Sequence, residues 1–378
     1  MVSLAFALAS LCSAPIQPKA LVTLPNGARI YSEYVANARN CSVQLWVSSA
    51  GTEERPETNG WRHLLEHCLG SGEGGSTDIE LEKQGLMMLA ETSRDAMMFR
   101  IDCPPAKVDR AIEFVVATSN PVRITPEWLA IERQSIINEE SLLPSYRRFS
   151  RTAWGRILGP ASPDPFGEPE SISAATPADI QSIQQKMYCG PNIALVITGP
   201  IDPTQVSETA RVIVDRAKLP STSAATMPGA KVDSLYLPVG VAGSALACRL
   251  PSIDDRQCLA LVAAGLGIQS AVPGTQIVFT PSSRAGVITL TSKSPGIQEQ
   301  VIKVGDFDLS FGIDLIQSWV QGIRRNPAAL ASFRGSLLCR GSNVTLEAIE
   351  KGAQTLTITD LQSAKQRLQT GVVIGGLN

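Results

Sequence analysis

The chain has 378 residues, 44% of them hydrophobic and 18% charged, and its 33 Lys and Arg nearly balance 35 Asp and Glu for a formal net charge of −2. That composition can bury the cores of two or three domains. It excludes the broad basic field of a nucleic-acid or anionic-membrane binder, and no apolar run is long enough to span a bilayer.

Residues 1–14 combine an apolar run over 4–12 with small residues Cys12 and Ala14 before Pro15, the pattern of a secretory signal cut after Ala14, though the positive n-region is lacking. The expectation is a periplasmic or secreted protein, the alternative a cytoplasmic one. Eight scattered cysteines without a C-x-x-C pair predict free buried thiols, not a disulfide framework or a second metal site. From residue 20, LVTLPNGARIYSEYV reads as two β-rich runs joined by Pro25, Asn26 and Gly27, a hairpin signal. Residues 41–50 predict a strand, and the polar loop 51–60 leads out of it.

The loop delivers the stretch 61–70, WRHLLEHCLG, which holds the only two histidines of the chain, His63 and His67, with Glu66 between them. Leu64, Leu65 and Leu69, with no Gly or Pro before Gly70, predict a helix. On a helix an i,i+4 pair lies about 40° apart, so both imidazoles can reach one metal, and Glu66 projects about 60° to the other side of His63, close to a metal-bound water without being a ligand. H-x-x-E-H is the inverse of H-E-x-x-H. Beyond it, GSGEGG predicts a flexible link and 77–84 a helix with Asp78 and Glu80 near its start. Residues 86–103 predict two strands around a polar turn at 93–95, with Met87, Met88, Met97 and Met98 as core filler. Helices are predicted over 107–119 and 126–143. The second of these can complete the metal site, because two histidines leave a catalytic zinc one protein ligand short. Glu139 is the candidate ligand. Glu132, seven residues earlier, shares its face and would sit one layer out, while Glu140 is turned about 100° away. Without the histidines, these carboxylates would read as a solvated face.

TLPNGARI, SSAGTEERPETNGWRHLLEH and ERQSIINEE, with Glu139 seventy-two residues beyond His67, together resemble the inverted-motif zinc peptidases related to insulin-degrading enzyme, pitrilysin and mitochondrial processing peptidase. The resemblance implies one Zn2+ per chain held by His63, His67 and Glu139, with Glu66 as general base. It also implies a strand that receives the substrate backbone. There the chain reads LAET, which makes Leu89, Ala90 and Thr92 the substrate-binding positions; Leu89 stands where relatives carry Asn, so a side-chain amide contact is lost, while Ala90 and Thr92 match. Phe99 replaces a common tyrosine, and Arg62 a usual small residue.

The Arg-rich stretch 146–157 predicts a solvated face, 160–177 a proline-rich loop, and the segment from Asp179 a helix running into a buried strand. DIQSIQQKMYCGPNIALVITG at 179 is echoed by DLQSAKQRLQTGVVIGG at 360, a domain-sized repeat. The predicted organisation is a signal at 1–14, a zinc-binding catalytic domain at 20–202, a linker at 203–228 and an inactive homologous domain at 229–378, which has no histidine. In the latter, strands are predicted near 231–241, 245–250 and 285–292 and helices near 255–265 and 313–323. Gly265 to Gly267 serve packing, not a nucleotide, and Asn343-Val-Thr is a formal glycosylation sequon.

The predicted fold is α+β, two similar domains of mostly antiparallel sheet with packed helices, forming half of a peptidase clamshell. The predicted function is zinc endopeptidase action on peptides or unfolded segments. The alternative is a non-catalytic subunit of the same fold that binds peptide or a partner peptidase. Half a clamshell predicts a homodimer, or a heterodimer with a related chain lacking the zinc motif.

Overall fold

The computed structural model describes residues 19–49, 56–158, 164–222, 242–279 and 286–375. The predicted signal at 1–14, residues 51–55 of the loop 51–60 and the strand near 231–241 lie outside these residues.

The chain opens with a hairpin, β1 (Lys19–Thr23) and β2 (Arg29–Tyr34), whose turn uses Gly27 at φ 91. β3 (Cys41–Ser48), α1 (Trp61–Ser71) and α2 (Ser76–Lys83) follow, then β4 (Met88–Thr92), β5 (Ala96–Cys103) and α3 (Val108–Ala117). Four helices, α4 (Pro126–Ser141), α5 (Ser145–Leu158), α6 (Pro169–Ala174) and α7 (Pro177–Met187), lead to β6 (Ile193–Gly199) and α8 (Pro203–Arg216). The strands form one sheet in the order β1-β2-β6-β3-β5-β4, antiparallel except for the β2–β6 pair. Strand alternation gives this sheet two apolar faces. Val43, Leu45 and Val47 of β3 pack with Leu64, Leu65, Ile112 and Val115 beneath α1 and α3. The other face carries Tyr31, Trp46, Met98 and Val196.

The second part contains β7 (Ser244–Leu250), α9 (Arg256–Ala271), β8 (Thr275–Phe279) and β9 (Gly286–Ser292). α10 (Ile297–Ile302), α11 (Asp306–Arg325), α12 (Pro327–Cys339), α13 (Leu346–Gln354), α14 (Ile358–Gln369) and β10 (Val372–Gly375) complete it. Its antiparallel sheet has the order β10-β7-β9-β8, which repeats β6-β3-β5-β4 of the first. The echo between 179 and 360 is thus structural. α7 and α14 even start with the same capping box, Thr176 with Asp179 and Thr357 with Asp360, so each helix begins with its first N–H groups satisfied.

Each sheet is closed by a helix from the other part of the chain. α12 lies on β3 and β6, and α5 lies on β7, β9 and β10, where Phe149 and Ala153 meet Ala245, Val287 and Ile374. Gly335 allows the first contact, since a Cβ there would sit 2.2 Å from Trp46 Nε1. Gly267 serves packing as predicted, because a Cβ on it would meet the Asp308 carbonyl at 2.4 Å.

Several expectations are corrected. The segment 203–228 does not begin as a linker. It starts with α8, capped by Asp202 and opened by Pro203, and Val206, Ala210, Val214 and Leu219 join the first core. The proline-rich loop contains α6. The Arg-rich stretch is a helix in which Arg147 and Arg156 are exposed, while Arg151 is drawn inward by ion pairs to Glu140, Asp164 and Glu168. Met97 and Met98 are buried, but Met87 is 65% exposed just before β4 begins. Cys41, Cys68, Cys103, Cys189, Cys248, Cys258 and Cys339 are all free thiols, and all but Cys339 are buried. Among the described residues no helix is long and apolar enough to cross a membrane.

Candidate active site

α1 enters through Gly60 at φ 89, a left-handed position that favours glycine. Gly167, at φ 90, presses against it, and a Cβ on Gly60 would fall 2.6 Å from the Gly167 Cα. This close approach lays the 164–167 loop across the start of α1. The Phe166 carbonyl thereby comes within 3.4 Å of His63 Nδ1, and the Phe166 ring lies 4.8 Å from the imidazole. Asp164 accepts from the Phe166 N–H and pairs with Arg151 and Arg94, which ties the loop down. Arg62, the departure from the small residue expected before His63, is 1% exposed and donates to the Ser93 carbonyl, joining α1 to the β4–β5 turn.

α4 supplies the carboxylates. Thr125 caps it by accepting from the Trp128 N–H, and burial of Trp128, Leu129 and Ile136 turns Glu132 inward. The Glu132 carboxylate accepts from Trp128 Nε1 at 3.2 Å and Ser71 Oγ at 3.0 Å, and it meets His67 Nδ1 at 3.3 Å. Two turns on, Glu139 lies 3.7 Å from His63 Nε2 and 3.5 Å from His67 Nε2, with its side chain half exposed. Both Nδ1 atoms face acceptors, so they carry the protons and leave both Nε2 lone pairs directed at one point. Donors about 2.0–2.1 Å from a tetrahedral zinc lie roughly 3.3 Å from one another, and the observed separations are close to that. Two imidazole nitrogens and one carboxylate, each nitrogen oriented from behind, are a donor set that fits zinc.

Glu66 stands beside this set, its Oε2 3.8 Å from His63 Nε2 and accepting from Thr92 Oγ1 at 3.3 Å. Burial pushes the Glu66 carboxyl up to about 7, with His67 and the Thr92 hydroxyl restraining the rise. Burial also holds His63 down to about 3, so it stays neutral and able to offer a lone pair. Burial depresses His67 as well, but the Glu132 hydrogen bond and the charges of Glu66 and Glu139 outweigh it and leave His67 above the ordinary value. Glu132, although raised by burial, is held below the usual carboxylate range by its donors His67, Ser71 and Trp128.

The fold thus gathers His63, Glu66, His67, Glu132, Glu139 and Thr92 in one place. Ala90 shares the Thr92 face of β4 and touches α1, where a Cβ on Gly70 would lie 3.7 Å from its own. Strand alternation sends the 44% exposed side chain of Leu89 to the face of β4 opposite Glu66. The Phe166 carbonyl and the loop anchor Asp164 were not anticipated. A backbone acceptor leaves no residue signature, and the one available clue was the pair of glycines, Gly60 and Gly167, that flank the contact.

A helix bearing two histidines and a carboxylate, completed by a carboxylate from a second helix, defines the centre of an inverted-motif metallopeptidase fold. Residues 29–143 match the insulinase family, peptidase family M16. The chain is 30% identical over 204 residues to the mitochondrial ubiquinol-cytochrome-c reductase complex core protein I of Euglena gracilis, covering 50% of this chain and 40% of that one. Over 204 residues it is 26% identical to the probable mitochondrial-processing peptidase subunit beta of Arabidopsis thaliana, covering 50% of this chain and 37% of that one. The match spans less than half the length of either relative. In fold, the chain resembles a protease from Helicobacter pylori (TM-score 0.78, 16% identity, 94% of this chain and 98% of that chain). It also resembles the first half of the periplasmic protease PqqL from Escherichia coli (TM-score 0.67, 17% identity, 96% and 92%). The segment that matches the M16 insulinase family contains the intact H-x-x-E-H group, and the described residues have the fold of half a clamshell.

Proposed function

We propose that the protein is a zinc endopeptidase that hydrolyses peptides or unfolded segments. The observation that carries this reading is the convergence of His63 Nε2, His67 Nε2 and the Glu139 carboxylate, with Glu66 alongside but outside the donor set. Zinc held there supplies Lewis-acid polarisation of the scissile carbonyl and lowers the pKa of water. Glu66 takes a proton from the attacking water as the new C–O bond forms, then delivers it to the amine nitrogen as the C–N bond breaks. Burial raises the Glu66 carboxyl above the usual carboxylate range, which favours its taking up a proton and passing it on. Thr92 orients Glu66 from β4. β4 is an edge strand among the described residues, so its free backbone groups can pair with an extended peptide and hold it past Glu66.

The deciding experiment is Glu66→Gln with zinc content measured beside peptide hydrolysis. The expected result is bound zinc retained and the rate reduced at least about 10²–10⁴-fold, the usual share of general acid–base catalysis. A fully active variant refutes the mechanism.

A second reading is a binding or assembly subunit of the same fold. It is favoured by Leu89 in place of Asn and by the relative named as a core protein of a respiratory complex. Purified protein without stoichiometric zinc would establish it. The same proposal takes the working unit to be a dimer, homo- or heteromeric, and the compartment to be periplasmic or extracellular.

A further inference from the structure

We propose that the cavity between the first sheet and α11–α12 is a side-chain subsite for a large aromatic or aliphatic residue of a bound peptide, next in sequence to the residue presented to Glu66. This deepens the peptidase reading and rests on it for the position of the peptide along β4.

The strand register carries the argument. Across the sheet, Thr92 lies opposite Met97, Met97 opposite Val47, and Val47 opposite Ile193, a row on the face of α1 and Glu66. One residue along, Glu91 lies opposite Met98, Met98 opposite Trp46, and Trp46 opposite Ala194, a row on the other face. A peptide added to the β4 edge extends both rows, because successive side chains point to opposite sides of a sheet. Its residue opposite Thr92 faces Glu66. Its residue opposite Glu91 must therefore reach the far face, where the Trp46–Met98–Glu91 row opens into the cavity.

That cavity has a volume of about 370 Å³ and is lined by Trp46, Met98, Glu91, Trp319, Phe333 and Leu337, among others. It exists because α12 covers only part of the sheet. Over Trp46 the helix is in van der Waals contact through Gly335, whereas beyond Met98 the gap is closed from the side by α11. Trp319 and Phe333 meet edge to face, centroids 6.4 Å apart, and form an aromatic wall. Trp319 is 39% exposed, a large apolar side chain left at the rim. The lining is mostly apolar, and the charge of Arg340 is matched by Asp95 at 2.7 Å. Glu91 has no ion-pair partner among the described residues and makes the mouth acidic. The subsite accordingly takes an uncharged bulky side chain and rejects Asp and Glu.

The test uses the full chain carrying Glu66→Gln, so that peptide binding is read without hydrolysis. Fluorescence anisotropy is measured for labelled peptides identical except for one residue, which is Phe, Leu, Ala or Asp at successive positions. At one position Phe and Leu should bind about tenfold or more tighter than Ala, with Asp weakest. Adding Ser336→Trp, which fills the cavity, or Trp319→Ala, which removes its wall, should collapse the ratio towards one without lowering zinc content. Thermal melting confirms that each variant is folded, and Trp319→Ala decides alone if Ser336→Trp does not fold. A preference of the same size in a folded Trp319→Ala variant overturns the proposal, as does the absence of any preference. The two readings fail separately. A preference that responds to these variants upholds the subsite even if the wild-type chain hydrolyses nothing, and hydrolysis with unresponsive binding rejects the subsite alone.

Discussion

Replacing Glu132, Glu139 and Glu140 of α4 one at a time should separate three roles that lie within nine residues of each other. Glu139→Gln removes a charged donor 3.5–3.7 Å from both Nε2 atoms, so zinc affinity should fall by more than about 100-fold, beyond the range of changes one layer out. Glu132→Gln leaves the donor set intact but weakens what lies behind it. The carboxylate there serves His67, Ser71 and Trp128 together, and a neutral amide offers a single acceptor oxygen. The expected loss is about 10–100-fold in zinc affinity, equivalent to roughly 1.4–2.7 kcal/mol. Glu140→Gln breaks a 2.8 Å pair with Arg151, which keeps Asp164 and Glu168 as partners. This partly exposed pair is worth less than about 1 kcal/mol of stability, and zinc affinity should not change. Competition against a chromophoric chelator gives the affinities, and elemental analysis after matched dialysis gives occupancy. Equal metal loss in the Glu139 and Glu140 variants would show that the register of α4 is misassigned. Unchanged affinity in the Glu132 variant would remove its role in orienting His67.

Gly335→Ala should destabilise the protein by about 1–3 kcal/mol, since its new methyl has no space against Trp46; an unaltered melting curve refutes that close contact. Light scattering should show a dimer, or an isolated chain whose peptidase activity rises when a related chain is added. A monomer cleaving at full rate without such a gain ends the idea. Residues 19–222 expressed alone should not yield a soluble, cooperatively melting monomer, whereas co-expression with 242–375 should restore solubility.

The zinc-site candidates were legible because their arrangement is local. Three of them lie within five residues of one helix, and Glu132 and Glu139 are separated by almost two full turns of another, so spacing alone predicts a shared face. What was not legible came from distant backbone. The carbonyl that orients His63 lies 103 residues away on a loop, where no side chain advertises it. α8 was hidden for a different reason. Its Pro203, Thr204 and Ser207 resemble linker composition, yet Asp202 at the cap and Val206, Ala210 and Val214 at helical spacing are the stronger signals. Leu89 shows what a resemblance leaves open. Position in a motif does not say which face of a strand a side chain occupies, and that depends on which residues pack beneath.

The expected failure of the isolated first part follows from how the two sheets are covered. In a pair of independent domains each sheet would be closed by helices of its own segment. Here α5, which follows the Glu139 helix directly, packs on the second sheet, and α12, from the second part, packs on the first. Without α12 the first sheet would expose Tyr31, Trp46, Met98 and Val196, and at about 1.5–3 kcal/mol per large side chain this costs roughly 6–12 kcal/mol. A whole domain is stable by only about 5–15 kcal/mol. Polar links would be lost as well, including Gln44 to the Ala328 carbonyl, Thr198 to the Pro327 carbonyl, and the Arg334–Glu33 and Arg340–Asp95 pairs. The same exchange connects the histidine-free part to the chemistry. The second part contributes no side chain to the donor set, but α12 holds down β3 and β6 of the sheet against which α1 packs, and α11 and α12 wall the cavity beside β4. Its contribution is therefore to keep the β4 edge in place and to shape what can lie along it, a role that needs apolar surface and no histidine.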